Sequence, residues 1–116
     1  MKMLSIIIRP DRLEKLKEIL NKNSTGGLTV INAMGCGNQR GRSDSDSSTE
    51  ELRILNMNLI PKVMAVTVVK DEDVNTILAE ITTNISSGKV GDGKVFVTDV
   101  LDSMRIRTGD RGEKAL

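Results

Sequence analysis

Two apolar periods alternate along the chain. Met3 to Ile8 is a short run rich in β-branched residues and closed by Pro10, the pattern of a first strand buried on at least one face. Beyond it Leu13, Leu16, Ile19 and Leu20 recur at helical spacing, which predicts a helix capped by Asp11 and ended by the small polar stretch Asn23 to Gly27. Leu28 to Met34 reads as a second strand and Val63 to Val69 as a third. Asp71 to Asp73 opens a second helix with Val74, Ile77, Leu78, Ile81 and Ile85 on one stripe, and Val95 to Leu101 makes a fourth strand. The order β-α-β-β-α-β predicts an α+β fold of ferredoxin-like type, a four-stranded antiparallel sheet with two helices on one face.

The 116 residues fit a single domain spanning 1–116, with one core and no room for a second. Seventeen Lys and Arg oppose sixteen Asp and Glu, and there is one Phe with no Trp or Tyr. A chain with neither a net basic field nor stacking aromatics is not expected to bind nucleic acid. The absence of His removes the commonest general base and metal ligand, and a single cysteine, Cys36, can form neither an intrachain disulfide nor a thiolate cluster. The longest apolar run near the N-terminus is far short of the roughly 20 residues that cross a bilayer. A soluble, cytoplasmic protein is expected.

Between the second and third strands lies a long polar segment, Gly35 to Leu59, carrying Arg40, Arg42, Arg53 and the acidic serine run Ser43 to Glu51. A stretch of this length inside a small domain is either functional or solvated.

Two phosphate-directed signals follow. Gly88 to Lys94 approaches the phosphate-loop pattern, but Val95 stands where a Ser or Thr would hold magnesium, and the loop runs from helix to strand instead of strand to helix. A phosphate-loop NTPase is therefore excluded, while an anion nest flanked by Lys89 and Lys94 is not. Arg105-Ile106-Arg107, read as extended, would aim two guanidinium groups to one side, a bidentate grip for phosphate. Each signal alone also fits an ordinary turn or a solvated edge.

Their order on this core changes the reading. Gly27-Leu28-Thr29, Gly35-Cys36-Gly37, Gln39-Arg40-Gly41, Pro61-Lys62-Val63, Gly91-Asp92-Gly93-Lys94-Val95-Phe96-Val97 and Arg105-Ile106-Arg107-Thr108-Gly109 together resemble the nitrogen regulatory protein P-II family across the whole chain. The resemblance implies a non-enzymatic signal protein, a homotrimer that binds ATP or ADP between subunits. It implies a T-loop near residues 37–59, a B-loop near 86–94 and a C-loop near 104–112. Thr29 and Gly35 would border base and sugar, and Gly91, Asp92, Gly93 and Lys94 would wrap the phosphates. Arg105 and Arg107 would reach them from the next subunit. Gln39 would help hold a Mg2+ ion bridging ATP and 2-oxoglutarate, with Lys62 and the backbone of Gly37, Asn38, Gln39, Arg40 and Gly41 at the oxoacid.

The implied partner is a target protein gripped by the T-loop: an ammonium transporter, which would bring the chain to a membrane only indirectly, or nitrogenase or glutamine synthetase. Asn38 stands where many members of the family carry Arg, and the T-loop is a few residues longer than usual. With no tyrosine in the chain, nucleotidylation of a loop tyrosine is excluded. With Asn38 and the acidic serine run, the loop resembles the nitrogenase-linked branch at least as much as the transporter-linked one. The alternatives are a P-II-like protein with a non-nitrogen target or altered effector, a weak ATPase using Asp92, and a ferredoxin-like module that binds no nucleotide.

Overall fold

A computed structural model describes residues 1–23, 25–37 and 59–116. Strand β1 spans Lys2–Ile8, helix α1 Leu13–Lys22, β2 Thr29–Gly35, β3 Ile60–Val69, helix α2 Val74–Ile85 and β4 Gly93–Asp99. The strands form one sheet in the order β2-β3-β1-β4, all neighbours antiparallel. This is the expected ferredoxin-like arrangement.

Strand alternation decides which face is dry. Leu4, Ile6 and Ile8 of β1 and Val63, Ala65 and Val69 of β3 point to one side and join Leu16, Ile19 and Leu20 of α1 and Ile77, Ile81 and Ile85 of α2 in a single core. Thr67 is the buried polar residue of this face, and its hydroxyl donates to the Gly27 carbonyl at 2.6 Å, which satisfies it. Lys22, the last residue of α1, pairs with Glu80 in the middle of α2 at 3.0 Å and ties the two helices together.

Among the described residues no helix covers the opposite face. Register puts Ser5, Val66, Thr29 and Phe96 in one row across the four strands, and Ile7, Met64, Ile31 and Lys94 in the next. Ile31 and Phe96 are each about half exposed, at 48% and 51%. Such a face on a monomer would be an unusually broad apolar surface.

Element ends differ from the sequence reading in physically intelligible ways. Asp11 does not cap α1: Pro10 begins a short 3-10 turn, Pro10–Arg12, and Arg12 takes the cap position with no side-chain hydrogen bond. Likewise Asp71–Asp73 is a 3-10 turn ahead of α2, not its first turn. β3 starts at Ile60 because Pro61, opposite Met34, lies before the part of the strand that pairs with β1, so its missing N–H costs no ladder bond on that side. β4 begins at Gly93 and ends at Asp99, two residues early at each end.

Ile77 is fully buried where α2 meets the sheet. Replacing it by Ala should lower stability by about 2–5 kcal/mol, the usual cost of an apolar truncation in a packed core, read as a lower urea midpoint.

Candidate functional site

Helix α2 ends at Ile85, and residues 86–92 turn the chain into β4. Asp92 organises this loop from within. Its carboxylate accepts from the Ser87 N–H at 2.7 Å, the Ser87 hydroxyl at 2.5 Å and the Gly88 N–H at 3.1 Å, with Ser86 Oγ at 3.4 Å. The Ser87 hydroxyl, then the Ser87 and Gly88 N–H groups, hold this carboxyl below its ordinary 3.8. A carboxylate so engaged serves the loop's shape; turned outward, it would repel phosphate. The loop closes at Gly93, where φ is +111 and a Cβ would run into the Ile7 carbonyl oxygen, so only glycine lets β4 start this close to β1.

The loop's carbonyls are held from outside by two cations. Arg9 donates through Nη2 to the Val90 carbonyl at 2.9 Å and through Nε to the Gly91 carbonyl at 3.3 Å, and Lys62 Nζ donates to the Gly91 carbonyl at 2.6 Å. In a trans peptide the N–H points opposite to the preceding carbonyl. Anchoring the Val90 and Gly91 carbonyls therefore aims the Gly91 and Asp92 N–H groups away from the anchors. The N–H groups of Val90 and Gly91 donate to no described residue. Lys94 is exposed, two residues further on, and makes no ion pair with a described residue. Oriented N–H donors beside an unneutralised ammonium form a nest suited to an anion such as phosphate. The sequence reading did not single out Arg9; a cation just after the strand that neighbours β4 was the available signal.

Arg105 and Arg107 lie elsewhere. Gly93 and Asp99 bracket β4, and Met104 to Gly112 follows its far end. Seven strand residues separate the two groups by roughly 20 Å at about 3.4 Å per residue. Nor is the Arg-x-Arg segment extended. The Arg105 carbonyl accepts from the Thr108 N–H at 3.2 Å and the Gly109 N–H at 2.7 Å, which makes a turn, and Met104 bridges to Arg111. The period-two argument for a shared side does not hold there. Arg107 is exposed, while Arg105 folds inward onto its own C-terminal segment.

Comparison with known proteins bears on this arrangement. The family model described as nitrogen regulatory protein P-II matches residues 1–110. The nitrogen regulatory protein P-II 2 of Methanothermobacter thermautotrophicus is 39% identical over 116 residues, covering all of this chain and 97% of its own length. The P-II protein of Porphyra purpurea is 36% identical and GlnK of Escherichia coli 34%, each over the full length of both chains. The chain belongs to the nitrogen regulatory protein P-II family.

Within this P-II chain the remaining expected site residues are divided. Gly35 ends β2 against the stem of Lys62, where a Cβ would sit 3.3 Å from Lys62 Cγ, so Gly35, Lys62 and the 86–92 loop meet at one end of the sheet. Gly37 follows, exposed. Thr29 shares the uncovered face with Lys94 but sits on the opposite edge strand and is not brought to the loop within one chain. Asn38, Gln39, Arg40 and Gly41 lie outside the described residues, as do Arg42, Arg53 and the serine run. Among the described residues no three His, Cys, Asp or Glu gather to hold a metal ion, and no helix is long and apolar enough to cross a membrane.

Because the Asp92 carboxyl titrates below its unfolded value, its contribution to loop order is fully present above about pH 4 and is lost as pH falls through the lowered value. Amide protection at Ser87 and Gly88 should disappear over that acidic range in the wild type. In Asp92→Asn it should already be weakened at pH 7, as hydrogen exchange would read.

Proposed function

We propose that this chain is a P-II-type nitrogen signal transducer, working as a cytoplasmic homotrimer that senses ATP against ADP, together with 2-oxoglutarate, in clefts between subunits. The supporting observation is the separation along β4. The N–H nest with Lys94 stands at one end and Arg105 with Arg107 at the other, so one chain cannot bring both to the same phosphates. Two copies can, if the second presents its 104–112 segment, the C-loop, to the 86–94 segment, the B-loop, of the first. The uncovered sheet face, with Ile31, Met64, Val66 and Phe96, supplies an apolar surface for such packing.

In this reading Lys94 and the Gly91 and Asp92 N–H groups hold phosphate oxygens, while Gly93 gives the backbone its close approach. Arg105 and Arg107 complete the grip from the neighbouring subunit, and Thr29 and Gly35 line the base and sugar. Lys62 and residues 37–41 would receive 2-oxoglutarate, and Gln39 would help hold a Mg2+ ion, which would supply positive charge for the oxoacid and ATP. Gly35, Gly37 and Lys62 stand where the 38–58 segment leaves and rejoins the sheet, so ligands there can set which shapes of that T-loop are populated. A partner that accepts one shape then reads ligand status. The partner is an ammonium transporter, nitrogenase or glutamine synthetase, with membrane contact only through a transporter. No bond need be broken in this scheme, and the Asp92 carboxylate, engaged by Ser87 and Gly88, is poorly placed to orient a hydrolytic water, which weighs against a weak ATPase.

Lys94→Ala and Arg105→Ala should each weaken ATP binding by roughly 10- to 150-fold, the loss of one charge-assisted contact of about 1.5–3 kcal/mol. Trimers reassembled from a mixture of the two variants should recover a fraction of tight sites, because a Lys94 loop from one chain can meet an intact Arg105 from its neighbour. No recovery in calorimetry of the mixed trimers would contradict a site shared between chains.

Gln39→Ala should reduce 2-oxoglutarate binding in the presence of Mg-ATP while leaving ADP nearly unaffected. Equal losses for both ligands would instead mean that Gln39 serves the fold.

A further inference from the structure

The C-terminal segment folds back onto Arg105 and leaves it no open fork. Nη2 donates to the main-chain oxygen of Lys114 at 3.1 Å and to that of Leu116 at 2.9 Å, and Nη1 leans on the Asp110 carboxylate at 3.5 Å. A guanidinium has two edges at which paired N–H bonds run parallel, Nε with Nη2 and Nη1 with Nη2. Both edges need Nη2. Two acceptors on that nitrogen therefore take a donor from each edge, and phosphate could be met only by single contacts from Nε or Nη1.

The segment is built to stay in this position. At its start the Gly112 N–H donates to the Ser103 carbonyl at 2.9 Å, the Ser103 hydroxyl donates to the Gly112 carbonyl at 2.8 Å, and Arg111 pairs with Asp102. Residues Gly112–Ala115 make one 3-10 turn, entered at a Gly112 φ of +63. At its far end Leu116 lies on Gly26, where a Cβ would come 2.5 Å from the Leu116 carbonyl carbon. The seat exists because residue 26 is glycine.

We propose that residues 112–116 are a latch that closes over Arg105 and competes with nucleotide phosphate for its guanidinium, so that full engagement of the nucleotide requires the latch to open. The proposal rests on the assignment of Arg105 to phosphate made above.

Two full-length variants open the latch by different physics. Gly26→Ala fills the seat under Leu116, and Gly112→Val places a β-branched residue at a left-handed φ where nothing crowds its side chain. Both should expose the Leu116 amide, which donates to the Glu113 carbonyl at 3.2 Å, to faster hydrogen exchange. Both should tighten Mg-ATP by roughly tenfold in calorimetry, the gain of one charge-assisted contact net of releasing the latch. The gain should vanish when Arg105→Ala is added to either. Unchanged or weaker Mg-ATP binding in both variants, with the Leu116 amide exposed and Arg105→Ala still harmful, would overturn the latch and leave the phosphate site standing. If Arg105→Ala in the otherwise unaltered chain leaves Mg-ATP binding unchanged, the phosphate assignment falls and the latch with it.

Discussion

Two helices laid on a four-stranded sheet can dry only one of its faces, and the rest of the molecule depends on that limit. The covered face takes the alternate residues of β1 and β3 and closes around the stripes of α1 and α2. The other face keeps Ile31, Met64, Val66 and Phe96 in cross-strand rows with no helix over them among the described residues. Water meets those rows in a lone chain, so the same packing that makes the fold also supplies an apolar area for association. Antiparallel pairing adds a second consequence. Each strand has its two ends at opposite poles of the sheet, and β4 therefore carries the glycine-rich loop to one pole and the arginine turn to the other.

Those poles have different chemistry. At the loop pole, cations hold carbonyls so that N–H groups face out: Arg9 and Lys62 reach Val90 and Gly91, and Asp92 fixes Ser87 and Gly88. The resulting donors are oriented before any ligand arrives, which lowers the reorganisation needed to bind an anion. At the arginine pole the opposite holds. Arg105 already has acceptors in Lys114 and Leu116, so a ligand there exchanges partners and does not fill empty valence. A site shared between chains would join a preformed half to an occupied half.

The fold was legible in the sequence because burial on one face imposes a period, and period survives whatever the tertiary details are. Leu13, Leu16, Ile19 and Leu20 had to be a helix facing a core, and the strand runs between them had few other ways to pack. Element ends were less legible, since they turn on single hydrogen bonds: Asp11 competes with the fixed φ of Pro10 and loses the cap. The Arg-x-Arg segment shows the same weakness. Alternation argued for a shared side, but the Thr108 and Gly109 N–H groups close a turn on the Arg105 carbonyl, and local backbone bonding outweighs a three-residue pattern.

Sequence alone determined the β-α-β-β-α-β core, the glycines of the 91–93 turn and the ordered set of motifs that marks a P-II chain. Those are local or periodic properties, fixed by residue type and spacing. Only the tertiary structure decided that Asp92 turns onto its own loop, that Arg9 from the end of β1 serves a loop far along the chain, and that Arg105 donates to the C-terminal turn seated on Gly26. Each of these depends on which carbonyl or N–H a side chain meets across a large sequence separation, and no period or motif encodes that.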